Sequence, residues 1–91
     1  MNIFSNYKCY EIKIRDVNQI CQWDEEKYQI SLYFDRPLVK ENKEDMRNEL
    51  STICGFKINK VYIDFINGIH IFVHDKDTAK NLSVILKLVI L

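Results

Sequence analysis

Apolar and polar residues alternate in three separate stretches of the chain and fall at helical spacing in two more, so the hydrophobic pattern outlines most of the fold. From Tyr7 to Arg15, Tyr10, Ile12 and Ile14 fall on one side and Cys9, Glu11, Lys13 and Arg15 on the other, which predicts a half-buried strand. Tyr28 to Phe34 alternates in the same way, with Ile30, Leu32 and Phe34 inward and Gln29, Ser31 and Tyr33 outward. The segment between them supports two readings. Asp16-Val17-Asn18-Gln19 resembles a capping box that opens a short helix through Ile20 and Trp23, whereas the same residues also fit a bent strand running to a turn at Asp24-Glu25-Glu26. Strand and turn is the preferred one.

The third alternating stretch is centred on Asn67-Gly68, the strongest short-range signal for a hairpin because both residues tolerate positive φ. A two-residue loop would leave both faces equally apolar. A three-residue loop, with Ile66-Asn67-Gly68 as the turn and Gly68 left-handed at a bulge, pairs Phe65 with Ile69, Ile63 with Ile71 and Val61 with Val73 on one apolar face. The opposite face then sets Lys60 against His74, Tyr62 against Phe72 and Asp64 against His70. This register is the expectation, since a one-residue slip would bury the wrong set.

Arg36 before Pro37 is driven out of helical geometry, so a helix begins after it. Asn42 is the expected N-cap, Met46, Leu50, Ile53 and Cys54 the buried stripe, and Gly55 the left-handed stop. Phe56 and Ile58 are out of phase with Val61, Ile63 and Phe65, which predicts a bend near Asn59-Lys60. A last helix, capped by Asp75 or Asp77, runs through Ala79, Leu82, Ile85, Leu86, Val89 and Ile90. Its polar stripe is narrow, Lys80, Ser83 and Lys87, and a helix apolar nearly all round is normally covered on more than one side. The expectation is that the tail stays helical and that Leu86, Val89 and Ile90 meet a partner or a second copy.

The predicted architecture is α+β: an antiparallel-rich sheet in β-β-α-β-β-α order with two helices on one face, a single domain over residues 1–91. A ferredoxin-like variant follows if residues 88–91 form a strand instead. Composition adds limits. With 47% hydrophobic and 29% charged residues, two glycines and one proline, the whole chain is expected to fold. Abundant Ile, Lys, Asn, Tyr and Phe suggest an AT-rich coding genome, as in many bacteria, phages and large viruses. Thirteen basic residues balance thirteen acidic ones, so no global field gathers phosphates, and a nucleic-acid binder would need a local patch. Three cysteines without a Cys-x-x-Cys spacing fit buried thiols in a reducing cytosol, and Met1 to Asn6 shows no basic region leading into a long apolar stretch. The expected location is the cytoplasm, without membrane contact.

Candidate chemistry is sparse. His70 and His74 share a strand face about 13 Å apart at about 3.3 Å per residue, too far to hold one metal ion, so they read as surface histidines. Both glycines are used by a helix stop and a turn, leaving no phosphate loop. Cys9 with a histidine, or Asp75-Lys76-Asp77 with magnesium, lacks supporting motif residues, and the expectation is a non-catalytic protein without cofactor or metal. Two patches remain. The open sheet face gathers Tyr33, Tyr62, His70 and Phe72, suited to protein hot spots or to stacking unpaired bases. Trp23 with Asp24, Glu25 and Glu26 forms an acid-ringed anchor that would suit a basic surface, such as the groove of a nucleic-acid-binding enzyme. The function expected is therefore a small protein-binding module that occludes a partner, as an inhibitor, antitoxin, immunity or anti-defence factor does. In size and composition it is similar to small phage-encoded inhibitors such as anti-CRISPR proteins. The alternatives are a nucleic-acid-binding regulator using the open face and a homodimeric structural subunit.

Overall fold

The structure is a computed structural model, and it describes residues 3–16, 28–38, 41–55, 57–58, 60–64 and 67–91. After a short 3-10 helix, Ile3–Asn6, the elements run β1 Cys9–Asp16, β2 Tyr28–Phe34, α1 Lys43–Cys54, β3 Lys60–Ile63, β4 Gly68–Val73 and α2 Lys76–Val89. The strands form one antiparallel sheet in the order β1-β2-β4-β3. Because β4 lies between β2 and β3, β2-α1-β3 is a split β-α-β unit. The α+β architecture expected from the pattern is the one observed, with α2 helical through Val89 rather than ending in a fifth strand.

Local chemistry sets the helix ends. Asn42 Oδ1 accepts the Asp45 N–H at 3.1 Å, Glu44 and Asp45 occupy the first turn where the helix dipole favours acids, and Gly55 at φ 80° donates its N–H to Ser51 O. Met46, Leu50 and Cys54, spaced by four, are the buried stripe of α1. At α2, Asp75 Oδ1 accepts the Thr78 N–H and its Oδ2 the Thr78 hydroxyl, both at 2.7 Å. These bonds hold the Asp75 carboxyl below its ordinary pKa, the Thr78 hydroxyl contributing most. A depressed native pKa means the cap's contribution is fully present above the unfolded value and lost as pH falls through the folded one. The gap in melting temperature between the native chain and Asp75→Ala, followed by circular dichroism, should therefore be widest near neutrality and close below about pH 4. A gap that persists undiminished into acid would contradict the ionised cap.

Both helices cover the same side of the sheet. Ile12, Ile30, Leu32, Phe34, Val61, Ile69, Ile71 and Val73 are buried with Met46, Leu50, Cys54, Ala79, Leu82 and Leu86 in one core. The N-terminal turn closes its end: Phe4 stacks on Phe34 at 5.7 Å, and the Ile3 N–H lies 2.7 and 3.0 Å from the two carboxylate oxygens of Glu49 on α1. No helix among the described residues is long and apolar enough to cross a membrane.

Four details differ from the sequence expectation. In β1 the pairing register shifts between Cys9 and Glu11, so Cys9 is buried and Tyr10 is 55% exposed, the reverse of simple alternation. In the hairpin, Ile63 pairs with Ile69, Val61 with Ile71, Tyr62 with His70 and Lys60 with Phe72. Each partner is two residues from the expected one, an even shift that keeps Val61, Ile69 and Ile71 on the core face and Tyr62, His70 and Phe72 on the open one. Gly68 does not take a positive φ. On α2, Ser83 and Leu86 are buried and Ile90 packs against the core, so Leu86 faces inward rather than toward a partner. The exposed apolar residues of that end are Val84, Leu88, Val89 and Leu91.

Candidate binding face

The side of the sheet away from the helices is organised in rows, two crossing all four strands and a third crossing three. One row sets Arg15, Gln29, Phe72 and Lys60 in register, the next Lys13, Ser31, His70 and Tyr62, and the third Glu11, Tyr33 and Gly68. Side chains meet both between neighbouring rows and within one. Tyr10 lies 6.5 Å from Tyr33, Tyr33 meets His70 edge-on at 6.0 Å, and His70 stacks on Tyr62 at 5.9 Å and 25°. A ladder of four rings thus runs from one edge strand to the other. Its end members, Tyr10 and Tyr62, are 55% and 50% exposed, while Tyr33 and His70 are half-buried.

A hydrogen-bond network fixes the centre of the ladder. His70 Nε2 lies 3.0 Å from Asp64 Oδ2, and its Nδ1 lies 2.8 Å from Ser31 Oγ and 2.9 Å from Gln29 Nε2. Gln29 Nε2 in turn donates to Ser31 Oγ at 2.7 Å. A neutral His70 with its proton on Nε2 satisfies the set: it donates to Asp64 and accepts the Ser31 O–H, while Gln29 donates to the serine. Asp64 also closes the hairpin, since its Oδ1 accepts the N–H groups of Asn67 and Gly68 at 2.9 and 2.8 Å. A Cβ at Gly68 would collide with the Asp64 carboxylate and lie 3.0 Å from His70 Nε2. Glycine is needed here for that close approach. Asn67 then ties the turn to the sheet, donating from Nδ2 to Phe34 O at 2.7 Å and to the Tyr10 hydroxyl at 3.1 Å.

Serine, histidine and aspartate in line have the connectivity of an acyl-transfer triad. Ser31, however, has no exposed surface, so a substrate carbon cannot approach its Oγ while the face is intact. The network orients the ladder. The two thiols among the described residues offer little more: burial pushes the Cys9 thiol up and the Cys54 thiol to about 11, away from the thiolate form that nucleophiles and metal ligands need. Among the described residues no three of His, Cys, Asp and Glu converge as metal ligands.

The structure brings Tyr33, Tyr62, His70 and Phe72 onto one face, as the pattern placed them. His74 is not among them: it pairs with Asp75 at 3.1 Å, and Lys60 stands opposite Phe72. His70, with a side chain only 12% exposed, is an interior member of the face rather than a surface histidine. Trp23, Asp24, Glu25 and Glu26 lie outside the described residues. Tyr10, Gln29, Ser31 and Asn67 belong to the face without having been among its candidate binding residues, although alternation had already turned Gln29 and Ser31 outward. For Tyr10 the reason is the register shift, which alternation cannot show; for Asn67, an Asp three residues before an Asn-Gly pair was the available signal. A shallow groove of about 530 Å³ along α1 is lined by Arg47, Asn48, Ser51, Thr52, Gly55, Lys57 and Ile58. Its hydroxyls are committed locally, Ser51 to Arg47 O and the Ile58 N–H, Thr52 to Asn48 O. Compared with known proteins, the chain matches no family model, no curated protein and no solved structure, and its function is therefore inferred from this geometry alone.

Proposed function

We propose that the chain is a non-catalytic protein-binding module whose open sheet face occupies a partner's surface, in the manner of an inhibitor, antitoxin, immunity or anti-defence factor. The observation that carries this reading is the four-ring ladder ending in two half-exposed tyrosines. Tyrosines of this kind are frequent interface hot spots, being large, rigid and amphipathic. Ring contacts and the Asp64-His70-Ser31 network hold the ladder in place before any partner arrives, which lowers the ordering cost of binding. Two features weigh against a nucleic-acid strand. Acids interrupt the face, Glu11 on β1 and Asp64 at the end of β3, and the face of His70 is taken up by Tyr62 rather than left for a base.

The test is affinity capture from lysate of the source cell with and without nuclease, followed by titration of the captured protein against the native chain and Tyr10→Ala/Tyr62→Ala. The expected result is a stoichiometric protein that survives nuclease, with affinity for the double variant reduced about 100-fold, as for two hot spots of about 1.4 kcal/mol each. Capture that disappears with nuclease, together with steeply salt-dependent binding of single-stranded oligonucleotides, would replace this reading with a nucleic-acid one.

A further inference from the structure

β1 is the terminal strand on its side of the sheet, and among the described residues it pairs only with β2. A strand so placed presents backbone donors and acceptors along its outer edge, a template for another strand. Its pairing with β2 is irregular between Cys9 and Glu11 and regular from Glu11 onward, so an added strand fits along residues 11–15. On the open face this segment carries Glu11, Lys13 and Arg15; toward the helices it carries Ile12 and Ile14. Ile14 is 39% exposed although it belongs to the core side.

The same five residues complement themselves. An antiparallel second copy, related by a two-fold axis through Lys13, sets Glu11 against Arg15 of the second copy and Arg15 against its Glu11. On the helix side it sets Ile12 against Ile14 and Ile14 against Ile12, covering the exposed isoleucine. Each pair lies on one face, as cross-strand pairs must. The single opposed like-charge pair is Lys13 with Lys13, next to Glu11 carboxylates, one of which already lies 3.6 Å from the lysine of its own chain. Other registers are poorer. An axis through Ile14 sets Lys13 against Arg15, and one through Ile12 sets Ile14 against Tyr10, which the register shift has turned to the opposite face. The helix offers a weaker seam: Val84, Leu88 and Leu91 are exposed, but packing α2 on itself about a two-fold brings Lys80 and Lys87 of both copies to one flank.

We propose that a second copy of the chain docks on the β1 edge through residues 11–15, joining the two copies' four described strands into one continuous sheet. The pairing shares Glu11, Lys13 and Arg15 with the open face but runs along the strand edge, and neither Tyr10 nor Tyr62, the rings that carry the proposed partner reading, takes part in it. Sedimentation analysis of the full chain from about 10 μM to about 1 mM, a range set by ordinary weak association, tests it directly. The expected result is a concentration-dependent monomer-dimer equilibrium. Glu11→Arg and Arg15→Glu should each weaken the dimer about tenfold, because two attractive pairs become repulsive, and combining them should restore it. Lys13→Gln should tighten it by removing the like-charge pair on the axis. Circular dichroism confirms that the variants fold, which is expected at positions on the sheet's outer face. A chain that stays monomeric throughout overturns the proposal, and so does a dimer indifferent to both charge reversals.

Discussion

Phe34→Ala should cost about 4 kcal/mol of folding stability, the largest effect of any single substitution considered for this chain. Phe34 has no exposed surface, sits on interior strand β2, and touches two aromatic rings of the N-terminal segment: Phe4 stacked at 5.7 Å and Tyr7 edge-on at 6.3 Å. Truncation removes the burial of a large apolar side chain and leaves a void, and it also ends two ring contacts worth about 0.5–1.5 kcal/mol each. A domain of this length has about 5–14 kcal/mol in total, so the loss is a large share of it. Urea denaturation followed by circular dichroism measures it. Phe4→Ala should then cost much less in the Phe34→Ala background than in the native chain, because the stacking partner is already gone. Equal costs in both backgrounds would mean that the N-terminal turn does not use Phe34 as its anchor.

Asp64→Ala is the second large effect, at about 3 kcal/mol. The carboxylate accepts from the Asn67 N–H, the Gly68 N–H and His70, and its side chain is 26% exposed, so water replaces those bonds only in part. Gly68→Ala should cost about 2 kcal/mol through a different route to the same place, since the new methyl group collides with that pinned carboxylate. The two changes predict a strong coupling. Once Asp64 is alanine the obstacle is absent, and adding Gly68→Ala should cost under about 0.5 kcal/mol. Additive losses would show that glycine is needed at 68 for its backbone rather than for room. Binding of the proposed partner would supply a second readout, because loosening His70 should also loosen Tyr62, which stacks on it.

The hairpin shows what alternation can and cannot reveal. That Val61, Ile69, Ile71 and Val73 face the core was legible, because the side-chain period is two and any even shift preserves it. The pairing partners were not, because the turn is closed by a carboxylate folding back onto the next N–H groups, a contact that period-two reasoning ignores. The helices were legible almost to the residue, since Asn42, Gly55 and Asp75 act within one turn of where they stand. Ser83 was misplaced because a small hydroxyl side chain beside Leu82 and Leu86 is buried by its position on the helix, whatever its polarity. The candidate face was half legible. Tyr33, Tyr62, His70 and Phe72 followed from alternation, whereas Tyr10 joined them only through one extra residue in an edge strand.

The ladder draws one ring from each strand, and its members stand at positions 10, 33, 62 and 70. Because β4 must insert between β2 and β3, neither the β1-β2 pair nor the β3-β4 hairpin alone contains the whole row. A newly made chain therefore has no complete face until its most distant strands have met, late in folding by the usual penalty on long-range pairing. Any partner that reads the full row will ignore nascent and partly unfolded chains, and loss of recognition will be an early sign that the sheet has begun to open.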